Sequence, residues 1–227
     1  MEKQLKLHYF GCSFTALETS PTNYEFVNYR HMVDGELNTT STNSSFTGNS
    51  NQRIFDDVYN QSQIVKNEKD FNHLFVIQTT FNDRLGLPCD IEDKFSSMCK
   101  TENPDSHIEE IQINFYNDWL KYFYSRANSL KEFKKQIEFV ASYLDMQQIR
   151  YIFIGMDETL DFLNDTIFFG RYRFLNFNQS HSFYKHCKMN KLRISDLSNI
   201  PPNTDHHFNQ LGHEILSNKL IEQIKSF

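Results

Sequence analysis

Short apolar runs alternate with longer amphipathic stretches along this chain, and the alternation predicts strands followed by helices. Residues 5–10, 74–79 and 150–155 are short and largely apolar, which is typical of buried strands in a parallel sheet. Residues 37–45 form a more polar, β-branched run that we interpret as a further strand. The pattern therefore predicts an α/β fold, a three-layer α/β/α sandwich with a mostly parallel sheet.

Helices are predicted where apolar residues recur every three or four positions and so line one face. Such patterns cover residues 24–33, 50–65, 108–126, 130–147 and 209–227. The first helix should end at Asp34 and Gly35, because glycine is common just beyond a helix C-terminus. Strands and helices thus follow one another along most of the sequence.

The 227 residues are enough for one α/β domain with a full core, and we expect a single domain over residues 1–227. Within it, residues 83–130 are the expected place for an insertion and a helical region. Residues 84–104 contain glycine and proline breakers and are interpreted as a loop. Residues 162–191 are aromatic and irregular, and they could either line a substrate pocket or pack over the sheet. Residues 192–194 could form a short last strand.

Charge and cysteine usage limit the classes of function. The net charge of −6, without a cluster of basic residues, argues against nucleic acid as a partner. The four cysteines show no C-x-x-C spacing and the N-terminus has no signal-peptide pattern, so we expect a reducing cytoplasm. Cys89 and Cys99 could pair in an oxidising compartment. Since no apolar run approaches the roughly 18 residues that a membrane helix requires, no membrane span is expected.

Candidate chemistry begins where the first strand runs into Gly11 and Ser13. Ligand sites of α/β folds lie beyond the carboxyl ends of the strands, so Ser13 is a candidate nucleophile. A serine hydroxyl needs a base, and the base needs an acid that holds its tautomer. Asp205 and His207 supply both, because residues i and i+2 of an extended segment project to the same side. The alternative is that Ser13 only caps a helix.

Two further residues follow predicted strands and could stabilise negative charge. Gly48 lies just before a predicted helix, where backbone N–H groups can bind an oxyanion. Asn82 follows the strand at residues 74–79, and its amide could donate to the same oxygen. Each also has a simpler interpretation, because glycine and asparagine are common in turns.

Four sequence blocks together resemble the SGNH (GDSL-like) hydrolase family, in a G-C-S variant found in bacteria. The blocks are Gly11-Cys12-Ser13, Gly48-Asn49-Ser50-Asn51-Gln52-Arg53-Ile54, Thr80-Phe81-Asn82-Asp83, and the D-x-H-x-N-x-x-G-H segment from Asp205 to His213. They occur in the family's order and span nearly the whole chain. Cys12 stands where aspartate is usual, Thr80 where glycine is usual and Phe208 where proline is usual.

The resemblance implies a flavodoxin-like sandwich and a serine esterase without metal or organic cofactor. It assigns the catalytic roles to Ser13, Asp205 and His207, and the oxyanion hole to the Ser13 N–H, the Gly48 N–H and the Asn82 amide. The expected substrate is an acyl ester, with O-acetyl groups on a carbohydrate as the first class. Two alternatives stay open: a carbohydrate O-acetyltransferase that uses the same triad, and a non-catalytic glycan-binding module.

Two other chemistries are weighed against this hypothesis. His206, His207 and His213 could bind zinc, but no cysteine or carboxylate spacing supports such a site. Asp157 and Glu158 could act as the acid and base of a glycosidase, although adjacent residues of an extended segment point opposite ways.

Overall fold

The computed structural model of this protein describes most of the chain outside one long central segment. The described residues are 3–82, 85–88, 95–98, 117–119, 121–122, 124–163, 165–177, 180–201 and 205–227. The predicted region over residues 83–130, with most of the helix predicted at 108–126, lies largely outside them, as do Cys89 and Cys99. Helix is described in that region at residues 117–119 and 121–122 and from Arg126 onward.

A four-stranded parallel sheet forms the centre of the molecule. Its strands are β1 (Gln4–Gly11), β2 (Thr40–Ser45), β3 (Phe71–Gln78) and β6 (Arg150–Ile154), in the spatial order β2-β1-β3-β6. Phe10 lies opposite Ser44 on one side and Ile77 on the other, so the three strands end at the same edge. Residues that directly follow these strands therefore lie close together at this edge of the sheet.

Helices cover both faces of the sheet. They are α1 (Ser13–Ala16), α2 (Tyr29–Leu37), α3 (Asn51–Val65), α4 (Arg126–Met146), α5 (Thr166–Arg171), α6 (Phe183–Met189) and α7 (Gln210–Lys225). Phe10, Phe75 and Ile77 pack against α3, α4 and α5, whereas Leu7 and Tyr9 pack against α2, α6 and α7. The predicted α/β/α sandwich is confirmed, because alternate strand residues feed two separate cores.

The end of α2 differs from the prediction. The helix begins only at Tyr29, and it passes through Gly35 to end at Leu37. Asn38 takes the left-handed conformation there, with φ 48°, and its N–H bonds back to Asp34 and Gly35. Asparagine tolerates this conformation better than most residues, so it ends the helix in place of the glycine.

Three irregular segments also differ from their predictions. Part of the loop predicted at residues 84–104 is an antiparallel hairpin of β4 (Leu85–Pro88) and β5 (Phe95–Met98), a two-stranded ribbon in which edge proline is tolerated. Residues 162–191 contain the short helices α5 and α6. The strand predicted at residues 192–194 is wrong, because Arg193 makes a single bridge to Phe208 before a 3₁₀ turn at Ile194–Asp196.

The predictions for the main strands and the longest helices are confirmed. α3 begins at Asn51, and the side chain of Ser50 caps it by accepting from the N–H of Arg53. None of the helices in the described part of the chain has the length and apolar composition of a membrane span.

Candidate active site

The end of β1 places Ser13 at the carboxyl edge of the sheet. A Cβ at Gly11 would lie 2.5 Å from Gln78 Oε1 and 2.7 Å from Thr15 Oγ1, so any larger residue would force these two side chains to shift. The backbone N–H of Cys12 donates to the same Gln78 oxygen, and its extended conformation turns the chain into α1. Ser13 follows as the first residue of that helix, with 5% of its surface exposed.

Ser13, His207 and Asp205 form one continuous chain of hydrogen bonds. His207 Nε2 lies 2.9 Å from Ser13 Oγ, and His207 Nδ1 lies 2.7 Å from Asp205 Oδ1. The backbone N–H of His207 also donates to Asp205 Oδ1 at 3.0 Å. The structure thus brings together the three residues that the sequence selected as nucleophile, base and acid.

Asp205 is held as a carboxylate by the groups around it. Its side chain is fully buried, which alone would raise its pKa. Hydrogen bonds from the side chains of His207 and Ser20 and from the backbone of His207 outweigh burial, so its pKa lies well below its ordinary value. Thr22 Oγ1 donates to Oδ2 at 3.1 Å. The anion can therefore hold the His207 ring by its Nδ1 atom.

The segment that carries His207 is fixed from both sides. The N–H of Ile194 donates to the carbonyl of His207 at 2.8 Å, and that of Ser195 donates to the carbonyl of Asp205 at 2.8 Å. Asn209 then caps α7 by accepting from the N–H of Gly212 at 3.0 Å. These backbone bonds hold the segment that carries the His207 imidazole.

His206 and His213 have different surroundings from His207. His206 lies at the surface. The part of its ring that is shielded from water, together with the Arg193 charge, lowers its pKa. His213 is 2% exposed, stacks on Phe26 and accepts a hydrogen bond from the N–H of Tyr29. Burial, with the nearby His207 and Arg30, lowers the pKa of His213 to about 3.

The three histidines of the zinc hypothesis therefore do not converge on one point. No group of three His, Cys, Asp or Glu side chains that could hold a metal ion occurs in the part of the chain that the structure describes.

Asn82 follows β3 at the same edge of the sheet. Its side-chain oxygen accepts from Asn51 Nδ2 at 3.1 Å. Its Nδ2 atom is buried and has no hydrogen-bond partner among the described residues. A buried donor without a partner has a free-energy cost of about 1–3 kcal/mol, and such groups in native structures call for an explanation. A ligand oxygen at this point would satisfy it.

Gly48 lies in the loop that joins β2 to α3, with φ 78°. This left-handed conformation favours glycine. The loop is tied to the end of β1, because Asn49 Nδ2 donates to the carbonyl of Gly11 at 2.9 Å and the N–H of Phe46 donates to the same oxygen. The loop that contains Gly48 is thus tied, through the Gly11 carbonyl, to the strand end that precedes Ser13.

Two residues with a part in this arrangement were not found from the sequence. Asn51 bonds to both Thr80 and Asn82, although its place in the Gly48–Ile54 block was a signal for it. Asp157, considered above only as part of a glycosidase pair, is buried and accepts from the N–H of Asn82 at 2.6 Å and from that of Thr159 at 2.7 Å. Both residues hydrogen-bond to the loop that contains Asn82.

Aromatic side chains lie beside the candidate triad. The Phe14 ring is 4.7 Å from that of His207, centroid to centroid, and it also meets Phe81 and Tyr184. Phe81 and Tyr184 meet edge to face at 5.1 Å, and both are partly exposed. The candidate site therefore has one aromatic wall that solvent reaches.

No protein-family model and no curated protein sequence matches this chain. Solved structures do. An alpha/beta hydrolase enzyme from the metagenome of Lake Arreo, Spain, aligns with a TM-score of 0.53 and 11% identity, over 98% of this chain and 95% of that one. A catalytic mutant of an acetylxylan esterase from Geobacillus stearothermophilus aligns with a TM-score of 0.52 and 13% identity, over 99% and 95%.

At these identities the likeness concerns the fold. This chain has the α/β fold of these two structures, a parallel sheet with helices on both sides. The fold that the four sequence blocks implied is therefore confirmed.

Proposed function

We propose that this protein is a serine esterase that transfers an acyl group through Ser13, His207 and Asp205. The observation that carries the proposal is the unbroken hydrogen-bond chain from Ser13 Oγ through His207 to Asp205. A hydroxyl, an imidazole and a buried carboxylate in this order are the parts that activate a serine nucleophile.

In the proposed reaction His207 is first a base and then an acid. Its Nε2 takes the proton of Ser13 as Oγ attacks the ester carbonyl, and a tetrahedral intermediate forms. His207 then gives that proton to the leaving alcohol oxygen, and the acyl group stays on Ser13. In the second half water attacks the acyl carbonyl and gives a proton to His207, which passes it to Ser13 Oγ as the acyl–oxygen bond breaks and the carboxylic acid leaves. Asp205 stabilises the imidazolium in each half.

The negative charge of the tetrahedral intermediate needs donors that are in place before the reaction. The proposed donors are the N–H groups of Ser13 and Gly48 and the Nδ2 atom of Asn82. The unpartnered state of Asn82 Nδ2 supports its part, because this donor has no existing hydrogen bond to give up as charge develops.

Acetyl esters of carbohydrates are the proposed substrates. One structure with the same fold is that of an acetylxylan esterase, which makes such esters the first to test. The partly exposed pair of Phe81 and Tyr184 fits this class, because aromatic faces offer an apolar surface to a sugar ring. A carbohydrate O-acetyltransferase would use the same three residues and differ only in passing the acyl group to a sugar hydroxyl.

The test is hydrolysis of p-nitrophenyl acetate and of acetylated xylo-oligosaccharides by the purified protein, with Ser13→Ala as the blank. We expect acetate release from both substrates by the wild-type chain and none above background by the variant. Acceptor sugars are added in a parallel series, where formation of a new acetyl sugar at the expense of acetate would indicate the transferase. No turnover of any acyl ester by the wild-type protein would refute the proposal.

A further inference from the structure

The first residue of α3, Asn51, makes three polar contacts with the loop that follows β3. Its Oδ1 accepts from the backbone N–H of Thr80 at 2.7 Å. Its Nδ2 donates to the carbonyl of Thr80 at 3.2 Å and to Asn82 Oδ1 at 3.1 Å. With 7% of its surface exposed, Asn51 is nearly buried, so these bonds are little weakened by water.

These contacts determine which way both amides face. A backbone N–H can only donate, so the atom of Asn51 that meets the N–H of Thr80 must be the oxygen. The NH₂ group of Asn51 is therefore the one that faces Asn82, and an NH₂ group requires an acceptor opposite it. Asn82 must then present its oxygen to Asn51. Its own NH₂ group is left on the other side, buried and unpartnered.

The backbone of Asn82 is fixed independently of its side chain. Its N–H donates to Asp157 Oδ2 at 2.6 Å, and its carbonyl accepts from Ser129 Oγ at 3.1 Å. Only the side-chain torsions of Asn82 then remain free to rotate, and the hydrogen bond with Asn51 holds them in one orientation.

We propose that Asn51 is a positioning residue, which directs the Asn82 NH₂ group toward the oxyanion of the reaction. The inference rests on the proposed esterase function. Asn51 itself does not touch the substrate in this scheme. Without it the Asn82 amide can rotate or flip, and a misplaced donor stabilises the transition state less than a fixed one.

The sharpest test is Asn51→Asp, which keeps the shape of the side chain. The new carboxylate still accepts from the N–H of Thr80, but it has no NH₂ group for the Thr80 carbonyl or for Asn82, and it attracts the Asn82 NH₂ group instead. We expect kcat for p-nitrophenyl acetate to fall about 10- to 100-fold, the range expected when a catalytic group is misplaced by about 1 Å. KM should change little, because the lost interaction develops only in the transition state.

Ser62→Ala is the matched control. Ser62 is a fully buried polar residue of the same helix, and its hydroxyl donates to the carbonyl of Tyr59 at 2.5 Å. Its loss should lower the melting temperature without changing kcat. A purely structural role for Asn51 would give the same pattern, a lower melting temperature with kcat unchanged, and would overturn the proposal.

The second measurement is a double-mutant cycle with the uncharged variant Asn51→Ala and with Asn82→Ala. Once the Asn82 amide is gone, its orientation no longer matters, so Asn51→Ala should cost little further kcat in that background. A loss in the double variant equal to the product of the two single losses would overturn the proposal. Absence of any ester hydrolysis by the wild-type protein would instead refute the esterase function itself.

Discussion

Two hydrogen-bonded chains that contain histidine lie at or near β1, and only one of them is a candidate for catalysis. One joins Ser13, His207 and Asp205 just beyond the end of β1. The other begins at Thr42 on β2, passes through His8 of β1 and His73 of β3, and ends at the backbone carbonyl of Glu68. In each chain a hydroxyl lies within 3 Å of an imidazole nitrogen.

The two chains differ in what stands behind the imidazole. His207 has an ionised carboxylate behind it, and 18% of its side chain is exposed. His8 is fully buried, and the group hydrogen-bonded to its other ring nitrogen is a second histidine, His73. The Glu68 carboxylate nearby is paired with Lys6. Burial, with the nearby His73 and Lys6, lowers the pKa of His8 to about 3. An imidazole beside a hydroxyl is therefore a useful base only where an anion offsets its positive charge.

The largest expected effect comes from removing the hydroxyl at each end. Ser13→Ala should lower kcat/KM for acetyl esters by at least about 10³-fold, the scale seen when a triad nucleophile is lost. Thr42→Val removes the matching hydroxyl of the buried chain and should leave kcat/KM unchanged. The fold of Ser13→Ala should be intact by circular dichroism, since the apolar residues of β1 carry its stability.

Cys12 adds a second control beside the nucleophile. If Ser13→Ala retained wild-type turnover while Cys12→Ala lost it, the nucleophile would have been assigned to the wrong residue.

The next effect concerns the base. His207→Ala should also reduce kcat by roughly 10³-fold or more, because no other imidazole in the part of the chain that the structure describes bonds to Ser13 Oγ. His206→Ala should have little effect, since the neighbouring exposed ring lies outside the hydrogen-bond chain. Steady-state kinetics of the two variants on one ester separates them, and equal losses of several orders of magnitude in both would contradict the role given to His207.

A smaller loss is expected at the oxyanion donors. Asn82→Ala should lower kcat by roughly 10²–10³, about 2.7–4 kcal/mol, with little change in KM. Gly48→Ala is measured beside it, although alanine at a positive φ also strains the backbone, by about 1–2 kcal/mol. Its melting temperature must therefore be compared as well. A loss in kcat below threefold for Asn82→Ala would remove that amide from the site.

The smallest effect is a change in how stability depends on pH. A histidine whose pKa is lowered in the folded protein takes up protons more readily when unfolded, so stability is lost as pH falls below about 6.5 and the loss continues to about 3. His8→Gln should therefore reduce the difference in unfolding free energy between pH 7 and pH 5 by roughly 2 kcal/mol.

Thr42→Val again provides the control for the buried chain. It breaks the same hydrogen bond but keeps the imidazole in place, so its pH dependence should match that of the wild type. Urea unfolding at the two pH values measures both variants. An unchanged pH dependence in His8→Gln would show that His8 is not kept neutral by burial.

Much of the candidate site follows from the sequence because its parts lie at strand ends. Ser13 and Asn82 come directly after apolar runs, and Asp205 and His207 are near neighbours in the chain, so local reasoning could place them. The roles of Asn51 and Asp157 could not be found in this way. Each acts on Asn82 from another element, and nothing in the local pattern tells an asparagine that begins a helix from one that orients a second amide.

At two further positions, sequence rules applied to a single residue did not predict what the structure shows. Gly35 was expected to end a helix, yet Asn38 ends it three residues later, because either residue can adopt the left-handed conformation. Thr80, a departure from the family pattern, turns out to matter through its backbone. Its N–H and carbonyl both bond to Asn51, and any residue type other than proline would supply them.

The hydrogen bond between Ser13 and His207 joins positions 194 residues apart. Bringing such distant points together costs about 5 kcal/mol of chain entropy on logarithmic scaling, and long-range contacts of this kind form late during folding. Under the proposed function, Ser13 has no base until the segment that carries His207 has reached the end of β1. The first turnover in a refolding chain would then report that these two distant segments have met.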